Sequence, residues 1–126
     1  MPTESPPKLP NTMPQYAFAL DLKNDPHLIA QYEAHHQAVW PEILHSMHDA
    51  GIIGCRIYRV ENRLTMIMET TPDFDFEAKA LADAQNPKVQ AWETLMWDYQ
   101  QAIPSAKPGE KWVRMKCIFE LPSKRP

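Results

Sequence analysis

The residues best suited to proton transfer lie in the run YEAHHQAVWPEI, from Tyr32 to Ile43. At about 100° per residue, the apolar residues around this run form one stripe of a helix. His36 lies inside that stripe, whereas His35 lies on its flank. Histidine titrates near neutral pH, where general acid–base catalysis needs it, so His36 is the candidate catalytic residue. The alternative is a core histidine whose nitrogens are hydrogen-bonded within the protein.

Three other side chains could contact a ligand beside His36. Tyr32 lies one turn earlier on the same helix face and adds a hydroxyl. In the second half of the chain, Trp92 could stack on the C–H face of a sugar, and Glu93 could accept hydrogen bonds from its hydroxyls. The alternative for this segment is an ordinary core stripe, because it also carries Met96, Trp97 and Tyr99.

Pro41 interrupts the helix that carries His36. It has no N–H for the carbonyl of Gln37 and disfavours helical geometry at Trp40. We expect one helix to about Asp49, with a kink or break at Pro41 that opens room beside His36. Alternatively, Pro41 begins a second helix at its first position. His36 faces inward in both cases.

Other groups of reactive residues predict no metal or cofactor. His45, His48 and Asp49 have metal-compatible spacing, but they lie on the polar helix face with no second cluster to complete a site. Only Gly51, Gly54 and Gly109 occur in the chain, and they form no phosphate-binding loop. No serine or cysteine lies in a known nucleophile motif. We expect neither a metal nor an organic cofactor.

Composition predicts one soluble domain with a core of its own. The chain has 126 residues, is 44% hydrophobic and carries a formal net charge of −3, with no basic stripe for nucleic acid. No apolar run is long enough to cross a membrane, and the N-terminus lacks the apolar stretch of a signal peptide. Cys55 and Cys117 each lie in an apolar run, which is typical of reduced core cysteines in a cytoplasmic protein.

The hydrophobic pattern predicts an α+β fold with the element order βαββαβ. A strand over QYAFALDL is followed by a helix with Asp25 as N-cap and Pro26 at its first position, ending at Gly51. The other predicted elements are two strands in IIGCRIYRVE and RLTMIMET joined by a turn at Asn62, helices from Phe74 to Ala84 and from Pro87 to Ile103, and a last strand in KWVRMKCIFEL.

This order is the split βαβ plan, in which four antiparallel strands carry helices on one face. The other sheet face and the outer strands then need a partner, so we expect a homodimer that packs sheet against sheet. Residues 14–121 form the predicted domain. The proline-rich segment 1–13 is expected to be extended or disordered, and residues 122–126 to be a tail.

Over about residues 15–121, the chain resembles the L-rhamnose mutarotase family. The most specific feature is the run Y-x-x-x-H-x-x-x-W-P-E-[IL], present as Tyr32, His36, Trp40, Pro41, Glu42 and Ile43. Supporting matches are Ile57-Tyr58, Asn86-Pro87 leading to Trp92 and Met96, and the ending Ile118-Phe119-x-Leu121. The resemblance implies a dimeric ferredoxin-like α/β barrel that interconverts the α and β anomers of a 6-deoxy-L-sugar without a cofactor. It also implies that His36 is the proton donor and that Tyr32 contacts the sugar.

Two positions depart from the family's rhamnose enzymes. Cys55 stands where those enzymes carry a pocket tyrosine, and Trp92-Glu93 stands where they carry Trp-Trp. The expected substrate-binding residues are therefore Tyr32, Cys55, Trp92 and Glu93. A lost aromatic ring and a gained carboxylate change which hydroxyls can be bound, so L-fucose competes with L-rhamnose as the expected substrate.

Two alternative functions remain open at the level of sequence. The same dimeric barrel could serve a cofactor-free monooxygenase or lactone isomerase, which would bind an aromatic or lactone substrate. The chain could also be a non-catalytic module that binds a small ligand, and a His36 fully enclosed in the core would favour that function.

Overall fold

The computed structural model describes residues 13–125, which form one sheet with helices packed against it. The strands are β1 (Gln15–Leu22), β2 (Ile52–Val60), β3 (Arg63–Thr70), β4 (Gln100–Gln101) and β5 (Val113–Arg114), and the helices are α1 (Pro26–His36), α2 (Pro41–Ala50), α3 (Phe76–Ala84) and α4 (Pro87–Trp97). The prediction for segment 1–13 concerns residues outside the described range, except for Met13. In residues 13–125 no helix is long and apolar enough to cross a bilayer.

The sheet is antiparallel throughout, in the strand order β2-β3-β1-β4. β1 is central and pairs with β3 over seven residue pairs, from Gln15↔Glu69 to Asp21↔Arg63. Its other edge is shared by two short strands, because β4 pairs with Asp21 and Leu22 while β5 pairs with Phe18 and Ala19. This arrangement confirms the predicted α+β ferredoxin-like fold.

Three of the helices begin at a side chain that caps their free backbone N–H groups. Asp25 accepts from the N–H groups of His27 and Leu28, and Asp75 and Asn86 cap α3 and α4 in the same way. Pro26 and Pro87 follow two of these caps at the first helical position, where the missing N–H costs nothing. The predicted starts of α1 and α4 are confirmed.

The prediction of one helix as far as Asp49 is wrong, and the alternative start at Pro41 is correct. α1 ends at His36, and Trp40 has φ −56° and ψ 135°, which is extended backbone. The ring of Pro41 disfavours helical geometry at the residue before it. α2 therefore starts anew at Pro41 and runs to Ala50, and Gly51, whose φ is 97°, is its C-cap.

Two elements near the C-terminus are shorter than predicted. α4 ends at Trp97 rather than Ile103, because the chain turns to form β4 against β1. The last strand covers only Val113–Arg114 rather than the whole of residues 111–121. β5 runs antiparallel to β1, which begins at Gln15, so residues beyond about 117 pass the end of their partner strand.

The core lies between the helices and one face of the sheet. Its larger cluster joins the sheet to α1, α2 and α4 through the buried residues Leu22, Tyr32, Ile43, Leu64, Val89, Trp92 and Met96. The sheet face away from the helices carries Tyr58, which is 56% exposed. The extended segment after β5 is also open to solvent, since Ile118 is 89% and Phe119 74% exposed. Both apolar surfaces lack a covering element in residues 13–125.

Candidate active site

A cavity of about 540 Å³ lies between the helices and the helix-facing side of β2 and β3. His36 and Tyr32 of α1 line it, together with Cys55 of β2 and Trp92 and Glu93 of α4. Its volume is in the range of about 300–1,000 Å³ that is typical of small-molecule sites. All five residues proposed from the sequence are thus brought to one cavity.

His36 is the last residue of α1, at the point where Pro41 and the preceding loop end the helix. Its ring is partly exposed and lies 4.4 Å from the ring of Tyr32 and 5.7 Å from that of Trp92, centroid to centroid. Nδ1 donates to the backbone carbonyl of Tyr32 over 2.9 Å. Burial lowers the pKa of His36, the bond to the Tyr32 carbonyl acts in the opposite direction, and the neighbouring His35 lowers it further.

Tyr32 lies beneath His36 and is only 3% exposed. Its hydroxyl accepts a hydrogen bond from Nε2 of Gln100 over 3.3 Å. Burial raises the pKa of Tyr32 to about 12, against the lowering effect of the Gln100 bond, and the charge of Glu93 raises it further. The phenol therefore stays protonated at neutral pH and serves as a hydrogen-bonding group.

Trp92 forms one wall of the cavity and belongs to the core as well. It is 6% exposed, and its ring packs edge-on against Trp40 at 5.1 Å and against His36. Both sequence interpretations of Trp92 are therefore compatible with its position. A flat aromatic wall of this kind can accept the C–H face of a sugar ring.

Cys55 and Cys117 are both free and exposed, so the prediction of two core cysteines is wrong. Cys55 is on the helix-facing side of the edge strand, where the cavity replaces packed side chains. The thiol is still partly buried by its surroundings, and the resulting desolvation raises the pKa of Cys55. Cys117 follows β5 in the segment that leaves the sheet.

Glu93 reaches the cavity from α4 and is paired there with Lys111. The ammonium of Lys111 donates to Oε2 of Glu93 over 2.5 Å and to the backbone carbonyl of the same residue over 3.3 Å. The side chain of Lys111 is 11% exposed, while that of Glu93 is 44% exposed. The cavity lining therefore includes an ion pair whose carboxylate is more accessible than its ammonium.

Sequence reasoning missed Lys111 and Gln100, which also line the cavity. Gln100 is buried and holds the Tyr32 hydroxyl, but the sequence pattern placed it within the helix of α4. Lys111 precedes the last strand, and no helical or strand periodicity in the sequence indicates that it pairs with Glu93 of α4. His35 does not line the cavity, and its ring bonds to the Tyr99 hydroxyl instead.

The remaining histidines do not contribute to the cavity. His27, His45 and His48 are exposed on the outer helix faces. In the part of the chain that the structure describes, no group of three or more His, Cys, Asp or Glu side chains is arranged to hold a metal ion. The side chains available for chemistry in the cavity are thus one imidazole, hydroxyls, the Cys55 thiol and two carboxylate–ammonium pairs, Glu93 with Lys111 and Asp83 with Lys79.

Comparisons with known proteins agree with one another. The family model for L-rhamnose mutarotase matches residues 15–121. An L-fucose mutarotase of Xanthomonas campestris is 46% identical over 112 residues, covering 87% of this chain and 90% of that protein. An L-rhamnose mutarotase of Jannaschia is 29% identical over 110 residues, covering 87% of this chain and 100% of that protein.

The fold is also that of a solved structure. The crystal structure of an L-rhamnose mutarotase from Formosa agariphila superposes with a TM-score of 0.65 at 21% identity, covering 86% of this chain and 99% of that chain. At this identity the likeness concerns the fold alone. The family model, however, spans nearly all of the described residues. The chain belongs to the L-rhamnose mutarotase family.

Proposed function

We propose that this protein is an isomerase that interconverts the α and β anomers of a 6-deoxy-L-hexose. Membership of the mutarotase family supports this activity. The observation that carries the proposal is the position of His36, which is neither enclosed in the core nor turned out to solvent. An enclosed His36 would have favoured a non-catalytic binding module. Its ring instead borders a cavity large enough for a monosaccharide.

The proposed reaction is ring opening and reclosure by proton transfer. The ring oxygen receives a proton while the anomeric hydroxyl loses one, which breaks the bond between the ring oxygen and the anomeric carbon and gives the open aldehyde. Rotation about the adjacent carbon–carbon bond presents the other carbonyl face, and the reverse transfers close the ring. We propose that His36 donates the proton that the ring oxygen receives. One well-placed acid or base contributes about 10²–10⁴-fold.

The base for the anomeric hydroxyl is proposed to be Glu93 or a bound water rather than Tyr32. The raised pKa of Tyr32, about 12, makes its phenolate rare at neutral pH. Tyr32 is instead proposed to donate its hydroxyl proton to a sugar oxygen, while Gln100 occupies the acceptor side of that hydroxyl. Trp92 and Cys55 complete the proposed substrate-binding surface.

Among 6-deoxy-L-hexoses, we favour L-fucose over L-rhamnose. A relative that is 46% identical is named an L-fucose mutarotase, whereas six relatives named L-rhamnose mutarotases are 25–31% identical. The residues point the same way, because Cys55 and Glu93 replace two aromatic side chains expected in rhamnose enzymes. A carboxylate in place of a ring changes which hydroxyl orientation is bound.

We further propose that the protein works as a homodimer in the cytoplasm. The dimer is supported by exposed apolar side chains on the uncovered sheet face and after β5, including Tyr58 and Phe119. An exposed edge strand with such residues invites pairing unless a partner covers it. The cytoplasmic location is supported by two free thiols, which persist in a reducing compartment.

The decisive experiment is saturation-transfer NMR of anomer exchange in L-fucose, L-rhamnose and several common aldoses. We expect purified protein to accelerate exchange of L-fucose most, and L-rhamnose less. Thermal stabilisation by a sugar without any increase in exchange rate would identify a binding module instead. The proposed function would be overturned if none of these sugars stabilised the protein and none exchanged its anomers faster in the presence of the protein.

A further inference from the structure

We infer that Lys111 is a positioning residue that orients the Glu93 carboxylate toward the sugar and so sets the preference between 6-deoxy-L-hexoses. This inference rests on the proposed function and extends it to a residue outside the motif that carries the family resemblance. Lys111 lies before β5, whereas Glu93 is in α4, so the pair joins two parts of the chain in the lining of the cavity.

The contacts of Lys111 fix its ammonium from three directions. It donates to Oε2 of Glu93 and to the Glu93 backbone carbonyl, and it lies 4.9 Å from the ring centroid of Trp97. An ammonium over an indole ring is held by a cation–π interaction. These contacts restrict the movement of the Lys111 ammonium. Because the ammonium binds Oε2, they also restrict rotation of the Glu93 carboxylate.

The difference in exposure between the two partners assigns their roles. The Lys111 side chain is 11% exposed and that of Glu93 is 44% exposed, so the carboxylate is the more accessible partner of a pair that lines the cavity. One carboxylate oxygen, Oε2, is occupied by Lys111. Within residues 13–125, Oε1 makes no hydrogen bond and is free to accept from a ligand. The pair thus offers one oriented acceptor rather than a rotating carboxylate.

An oriented, charged acceptor can discriminate between sugar epimers. L-Fucose and L-rhamnose share the 6-methyl group and differ in the orientation of two ring hydroxyls, at C2 and C4. Hydrogen bonds to a charged group are stronger than those between neutral groups, and a site built for one hydroxyl rejects an isomer that leaves its acceptor unpaired. Glu93 and Tyr32 line the same cavity, so both are in position to contact one sugar ring.

The test compares Lys111→Met with Lys111→Arg and Glu93→Gln in full-length protein. Anomer exchange of both sugars is measured by NMR to obtain kcat and KM separately. We expect Lys111→Met to raise KM for the preferred sugar about tenfold and to bring the two kcat/KM values within about threefold of each other. Glu93→Gln should level the two kcat/KM values in the same way and also lower kcat if Glu93 acts as the base, whereas Lys111→Arg should keep most of the preference. The double variant Lys111→Met/Glu93→Gln should have a kcat/KM no lower than that of the weaker single variant, because the two residues act together.

Arg63→Met is the matched control for a general loss of stability. Arg63 also pairs with a mostly buried carboxylate, that of Asp21, through bonds of 2.8 and 3.0 Å, but neither residue lines the cavity. It should reduce stability and leave the ratio between the sugars unchanged. An unchanged ratio in Lys111→Met, with wild-type protein active, would overturn this inference alone. Wild-type protein that neither binds nor isomerises either sugar would overturn the proposed function and this inference with it.

Discussion

Nδ1 of His36 lies 2.9 Å from the backbone carbonyl oxygen of Tyr32, one helical turn earlier. A carbonyl oxygen can only accept a hydrogen bond, so Nδ1 keeps its proton whether the imidazole is neutral or charged. Any proton that His36 exchanges with a ligand must therefore pass through Nε2. The helix that ends at His36 thus fixes both the orientation of the ring and its tautomer.

Replacing His36 with alanine tests the acid–base assignment. We expect anomer exchange of L-fucose to slow by about 10²–10⁴-fold, because the ring oxygen loses its proton donor. His48→Ala is the control, since His48 is exposed on α2 and does not line the cavity. Saturation-transfer NMR gives both rates. An unchanged rate in His36→Ala would remove this residue from the mechanism.

The pH dependence follows from the lowered pKa of His36. Proton donation to the ring oxygen requires the imidazolium, and burial lowers the His36 pKa below its usual 6.5. The enzymatic kcat/KM should therefore be highest at acid pH and fall as pH rises through that lowered pKa. The rate of His36→Ala, measured from about pH 5 to about pH 8, is subtracted as background. A kcat/KM that instead rises through the same pKa would assign His36 as the base.

Local sequence signals predicted much of the fold and the centre of the site. Helical periodicity placed His36 on the inward face, and Asp25 with Pro26 marked the start of α1. The hairpin between β2 and β3 was predicted from Asn62, and the observed turn is Glu61-Asn62. These features depend on neighbours within a few residues, which is why a sequence reveals them.

Features that depend on distant partners were missed or misjudged. Gln100 was predicted in a helix, but tertiary pairing with Leu22 makes it a strand residue. Cys55 alternates correctly in β2, yet alternation cannot tell whether the facing side is filled or is a cavity. The contact between Lys111 and Glu93 spans 18 residues and carries no repeating pattern. The residues that line the site from α1 and α4 were predictable, whereas Gln100 and Lys111 reach it only through tertiary contacts that no local pattern reveals.

Tyr32→Phe separates hydrogen bonding from packing beside His36, the proposed catalytic residue. Loss of the hydroxyl leaves Nε2 of buried Gln100 without its partner, beside an Oε1 that has none in the described residues. We expect unfolding free energy to fall by about 1–3 kcal/mol and kcat/KM to fall by about two- to tenfold. Urea denaturation and anomer-exchange NMR measure the two effects. Tyr16→Phe, outside the cavity, should change neither, and equal losses in both variants would contradict the role of this hydroxyl.

A charge on the uncovered apolar surface tests the proposed homodimer. We expect Tyr58→Asp and Phe119→Asp to convert a dimer to a monomer, because an unpaired carboxylate in an apolar interface is costly. Leu81→Asp is the control, since Leu81 is 65% exposed on α3, away from the sheet. Light scattering after gel filtration gives the mass of each variant. A monomeric wild-type protein, or dimers in all three variants, would refute this interface.

Gly51 ends α2 and should tolerate no side chain, for two separable reasons. Its φ of 97° lies in the left-handed region, and an added Cβ would come within 2.6 Å of Oγ1 of Thr71. Gly109 has a similar φ of 80° but open space around the same position, so Gly109→Ala measures the backbone strain alone. We expect Gly109→Ala to cost about 1 kcal/mol of unfolding free energy and Gly51→Ala clearly more. Because Gly51 also accepts the N–H of Thr71 through its carbonyl, displacement there would shift the end of α2 against β3. Equal losses in urea denaturation of the two variants would mean that the Thr71 side chain moves aside and that strain accounts for the whole effect.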